Sequence, residues 1–107
     1  MTARARIAID ETSVPRFPRG TRLRFDATRQ AWLILAPERL ILPDEIAVEV
    51  LKLVDGVRSV SAMADALAAR FGAPRDEVLG DVLSLLQELA DDTVLEVSRN
   101  PAGSNSL

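Results

Sequence analysis

Apolar and polar positions change period twice along this chain. From Thr21 to Asp26 they alternate, with Leu23 and Phe25 on one side and Arg22 and Arg24 on the other. That is the period of a half-buried strand. Asp26-Ala27-Thr28-Arg29-Gln30 reads as a turn into Trp32-Leu33-Ile34-Leu35, which is apolar on both faces and suits a middle strand. Ala36-Pro37-Glu38 breaks the run, Arg39-Leu40-Ile41-Leu42 resumes it, and Pro43 stops it. Proline cannot donate to a sheet ladder, so both prolines lie outside the strands they bound. Three strands joined by short links predict a small antiparallel meander.

After Pro43 the period becomes helical. Asp44 is a suitable N-cap, followed by Glu45 at the positive end of the helix dipole. Ile46, Ala47, Val50, Leu51, Leu53 and Val54 form the apolar stripe, and Asp55-Gly56 is expected to end the helix. Ser59 caps a second helix, whose stripe runs from Val60 through Met63, Ala64, Leu67 and Ala68 to Phe71. Gly72-Ala73-Pro74 stops it and starts a third, which runs to about Ala90. Thr93 to Val97 is short and β-prone. Val14 to Gly20, with two prolines and a glycine, reads as a turn-rich lead-in. The expected division is a flexible arm over 1–14, one domain over 15–97, and a flexible tail over 98–107. The order is that of an α+β, winged helix-turn-helix-like domain: a three-stranded antiparallel sheet with three helices.

Composition narrows the chemistry. The 107 residues contain no Cys and no His. A cysteine nucleophile, the commonest general base and the commonest nitrogen ligand for a metal are therefore missing. Carboxylates remain, for instance Glu38 and Asp44, but nothing marks them as a catalytic pair. Neither catalysis nor a cofactor nor a metal is expected. No apolar run approaches the length of a membrane span, so a cytoplasmic protein with no membrane partner is expected.

A winged helix-turn-helix invites a nucleic-acid reading, and charge argues against it. The third helix and its end set Arg75 against Asp76, Glu77, Asp81, Glu88, Asp91 and Asp92, a net charge of −5. Such a helix repels phosphate and lacks the cluster of Arg, Lys, Asn or Gln that reads base edges, Gln87 standing alone. The chain carries −3 overall, yet residues 1–30 hold seven Arg against three carboxylates, or +4. That basic arm is either a solvated surface or a contact for an acidic partner.

The third helix is also more apolar than one core requires. At 100° steps its apolar residues fill an arc of about 160°, where a stripe of a little over about 100° suffices. The edge made by Val78, Leu85 and Leu89 borders Asp81 and is the favoured side of a groove, with Val82 inside the arc. Meanwhile Arg39, Leu40, Ile41 and Leu42 form a strand with one open edge. An apolar edge invites pairing unless something covers it. A partner peptide adding itself as a strand is one solution, with its side chains in the groove beside the third helix. A second copy of the chain is another, so a monomer or weak dimer is expected. Leu40 and Leu42 share one face, Arg39 and Ile41 the other, and the pattern leaves open which pair meets the groove. Trp32 reads as a core residue.

Four stretches together resemble the PqqD family: Leu35-Ala36-Pro37-Glu38, Leu42-Pro43-Asp44-Glu45, Leu51-Lys52-Leu53-Val54-Asp55-Gly56, and Ala66 to Gly72 followed by Asp81-Val82-Leu83 and Leu86. The resemblance covers about Pro15 to Val97. It implies a non-catalytic peptide chaperone of pyrroloquinoline quinone biosynthesis, built as a three-stranded sheet on three helices. Such a chaperone binds a ribosomal precursor peptide and presents it to a radical S-adenosylmethionine enzyme, which cross-links a Glu and a Tyr of that peptide. The resemblance further implies that the peptide lies along Arg39, Leu40, Ile41 and Leu42, against Val78, Asp81, Val82 and Leu85. Pro43 departs from the family pattern and shortens the pairing edge by one donor. A recognition domain of another peptide-modification pathway would share these features.

Overall fold

A computed structural model of the chain describes residues 8–99. The chain enters through β1 (Ser13–Arg16), and the meander then forms as its pattern predicts: β2 (Arg22–Asp26), β3 (Ala31–Ala36) and β4 (Arg39–Ile41), in that order and antiparallel. The register sets Phe25 opposite Trp32, Leu23 opposite Ile34 and Ile34 opposite Ile41. These residues share one face of the sheet, on which Ile34 is fully buried and Leu23 and Ile41 pack against the core, while Phe25 stays exposed. Asp26 shapes the first turn by accepting the Thr28 amide at 3.0 Å, and Gln30 takes a positive φ of 56°. Pro37 and Glu38 alone separate β3 from β4.

Three helices follow: α1 (Glu45–Leu51), α2 (Val60–Phe71) and α3 (Arg75–Asp91). Asp44 and Ser59 cap α1 and α2, accepting the amides of Ala47 and Ala62. Gly72 ends α2 at φ 63°, a left-handed position that costs glycine nothing. Pro74 stands at the N-cap of α3. The core joins Ile34 to Val50, Leu51, Met63, Val82 and Leu86. Arg75 ties the start of α3 to α2, pairing with Asp65 and donating to Ser61 Oγ at 2.8 Å. The hydrogen bond to Asp65 raises the Arg75 pKa above its ordinary value.

Four expectations are corrected. The first helix ends at Leu51, not at Asp55-Gly56. Leu53 and Val54 bond three residues back instead of four, and the Asp55 carboxylate turns the chain by accepting the amides of Val57 and Arg58. Leu42 lies outside β4, which stops at Ile41. The stretch expected to be arm and lead-in contains β1 (Ser13–Arg16), with Ser13, Val14 and Pro15 all buried. Its partner is β5 (Glu96–Arg99), so Ser98 and Arg99 belong to a strand and not to a tail. In a two-stranded ribbon each strand keeps an open side, which tolerates Pro15. Three consecutive buried residues show no alternation, so this strand carried no readable period. Earlier still, the Ile9 amide donates to Gln87 Oε1 at 3.0 Å, which ties residue 9 to α3. The rest of the expected arm (1–7) and tail (100–107) lies outside the described residues.

Candidate functional site

A groove of about 810 Å3 lies between the sheet and the helices. Its walls come from four elements. β3 contributes Trp32, and the link into α1 contributes Leu42 and Pro43. From α1 come Glu45, Ile46 and Glu49; from the end of α2, Leu67 and Phe71. α3 contributes Val78, Asp81, Val82 and Leu85. Three apolar side chains around it are unusually open: Leu42 is 62% exposed, Ile46 73% and Phe71 55%. Isolated exposed apolar residues are ordinary, whereas these three border one concavity.

The structure therefore brings together five of the eight residues the sequence nominated: Leu42, Val78, Asp81, Val82 and Leu85. Arg39, Leu40 and Ile41 do not line this groove but lead to it along β4. Ile41 turns into the core opposite Ile34, and Leu40, opposite Leu35, sits on the outer face, 48% exposed. Arg39 reaches the end of α3, where its guanidinium meets Asp92 Oδ2 at 3.2 Å and the Asp92 carbonyl at 2.8 Å. β4 thus starts beside the end of α3 and runs toward the half of that helix that lines the groove. It is an edge strand. Among the described residues no backbone bond beyond the sheet itself reaches residues 39–42.

Three lining residues that the sequence pattern assigned to the core are half-buried or exposed instead: Trp32, Ile46 and Phe71. Trp32 packs edge-on against Phe25, centroids 5.4 Å apart, while Lys52 Nζ lies 5.0 Å from its ring centre. Ile46 falls in the first turn of α1 and Phe71 in the last turn of α2, at the margins of what a neighbouring layer covers. Apolar identity alone does not distinguish a margin from a core. Along the rim, Glu49 receives Arg70 at 2.5 Å and Lys52 at 3.7 Å. No helix among the described residues is long and apolar enough to cross a membrane.

The family described as coenzyme PQQ synthesis protein D (PqqD) matches residues 31–95, which include β3, β4, all three helices and the whole groove lining from Ala31 onward. The chain belongs to the PqqD family. It is 56% identical over 94 residues to a PqqA binding protein of Rhodopseudomonas palustris strain TIE-1, covering 88% of this chain and 92% of that one. Among solved structures, it is similar to the solution structure of the PqqD truncation of Methylobacterium extorquens PqqCD, described as a functional, stand-alone recognition element for ribosomally synthesised, modified peptides. The identity is 46%, the TM-score 0.72, and the match covers 83% of this chain and 95% of the other. The crystal structure of PqqD from Xanthomonas campestris is 38% identical with a TM-score of 0.52, over 82% and 98% of the two chains. The first of these relatives is named a binding protein and the second a recognition element.

Proposed function

We propose that this chain binds PqqA, the ribosomal precursor peptide of pyrroloquinoline quinone biosynthesis, without itself catalysing a reaction. It then presents the peptide to a radical S-adenosylmethionine enzyme that cross-links a Glu and a Tyr. The names of the relatives support this reading, and one observation carries it. An unpaired edge strand, β4, runs into a groove around which Leu42, Ile46 and Phe71 stand open. The peptide extends the sheet at Arg39, Leu40, Ile41 and Leu42 and packs its side chains against Val78, Asp81, Val82 and Leu85. β4 is only three residues long, and Pro43 has no N–H to offer. Main-chain bonds are therefore few, and apolar burial in the groove supplies most of the affinity. The chain acts as a monomer, its open edge being filled by the peptide instead of a second copy.

An amide NMR titration with the precursor peptide tests this. Shifts are expected in residues 39–42 and 78–85 and at the Trp32 indole N–H. Shifts confined to β1, β5 or the outer face of α3 would move the site elsewhere. A titration with no shifts at saturating peptide would sink peptide capture, and sedimentation would then measure self-pairing through β4.

A further inference from the structure

The groove has a polar rim, and its carboxylates are not alike. Glu49 is already occupied by Arg70 and Lys52. Those two cations are engaged twice over, since each also lies against a groove aromatic: Lys52 on Trp32, and Arg70 with its guanidinium carbon 5.1 Å from the Phe71 ring centre. Glu45 and Asp81 differ. Both line the groove, one from α1 and one from α3, and neither has an ion-pair or hydrogen-bond partner among the described residues. Asp81 is flanked on its own helix by Val78 and Leu85, three residues before and four after, so all three share one face. A ligand seated there would cover apolar surface and strip water from this carboxylate. Taking a charge out of water is costly unless a counter-charge arrives with the ligand.

We propose that the groove selects a peptide segment carrying a Lys or Arg beside its apolar residues, with Asp81 as the principal partner of that cation and Glu45 reinforcing it. The inference rests on the peptide capture proposed above. A neutral segment leaves Asp81 desolvated and unpaired, and an acidic one is repelled, so the same residue attracts one class and rejects the others. The cation's methylene stem lies on the Val78–Leu85 surface while its head reaches the carboxylate.

The test measures precursor binding through Trp32 fluorescence at low and high salt. Asp81→Asn is expected to weaken binding about five- to tenfold and to flatten its salt dependence. Asp81→Lys weakens it further, and replacing the matching Lys or Arg of the precursor with Glu restores binding to that variant. Glu88→Gln removes the same charge from α3 away from the groove and changes affinity by less than about twofold. Thermal unfolding checks that each variant folds; if Asp81→Lys does not, Asp81→Asn against the precursor's neutral variants completes the cycle. Binding indifferent to Asp81→Asn, or a bound segment in which no basic residue matters, overturns the inference while leaving peptide capture intact. Failure of the unmodified chain to bind the precursor overturns peptide capture itself.

Discussion

Asp55 turns the chain in the link between α1 and α2 with a single carboxylate. It accepts the amides of Val57 at 2.9 Å and Arg58 at 2.7 Å, which lie in the turn before α2. These bonds, the one from Arg58 first, lower its pKa below the ordinary value of 3.8. A carboxyl whose folded pKa is depressed stabilises the fold above its unfolded pKa, and that contribution disappears as pH falls through the folded value. Asp55→Asn keeps an acceptor and loses the charge. Its melting temperature is therefore expected to lie below that of the unmodified chain at pH 7, with the gap closing as pH drops below about 4. Melting curves across that range check it; a gap that persists in acid would assign the effect to geometry instead of charge. At this scale the sequence was partly legible. Caps such as Asp44 and Ser59 act on amides three residues away, so local identity is enough to place them. The exposure of Trp32, Ile46 and Phe71 depends on what does or does not pack over them, and residue type carries no such information.

At the scale of elements, α3 shows why a wide apolar arc has two meanings. Val82 and Leu86 are its buried residues, on the core side. Val78 and Leu85 are only partly buried and turn toward the groove, while Leu83 borders a smaller cleft with Ile9 and Gln87. The periodicity predicted both the excess width and the edge beside Asp81, because helical geometry fixes angular order regardless of the partner. Adjacent residues of this helix should therefore separate binding from stability. Leu86→Ala empties a core position and should cost about 2–5 kcal/mol in urea unfolding. Leu85→Asp should lower peptide affinity at least tenfold while costing under about 1.5 kcal/mol of stability. Equal destabilisation by the two would place Leu85 in the core. α1 is the counter-example: its apolar stripe continues through Leu53 and Val54, yet the helix stops at Leu51. Leu53 and Val54 still pack on the core from a non-helical turn, so their hydrophobicity was legible and their backbone was not.

At the scale of the whole molecule, the two ends of the domain meet. β1 and β5 pair from Ser13 with Arg99 to Arg16 with Glu96, and an ion pair of 3.0 Å joins Arg16 and Glu96 across the ribbon. Val14 and Pro15 of this ribbon are buried, so it contributes to the fold although none of its residues lines the groove. A full Val side chain is worth about 1.5–3 kcal/mol on burial. Deleting residues 1–16 should therefore lower stability by about 3 kcal/mol or more, as measured by urea unfolding. Loss of well under about 1 kcal/mol would show the ribbon to be an appendage. The sequence by itself determined the meander, the three helices, the caps, the apolar arc of α3 with Asp81 at its edge and the absence of Cys and His. Each follows from interactions within a few residues or from identity alone. Only the tertiary structure decided that β1 and β5 pair across some 80 residues, that Ile41 faces inward and Leu40 outward, and that Trp32, Ile46 and Phe71 converge on one groove. Those outcomes depend on which surfaces meet at long range, and a local period is the same whether the surface it describes is covered or left open.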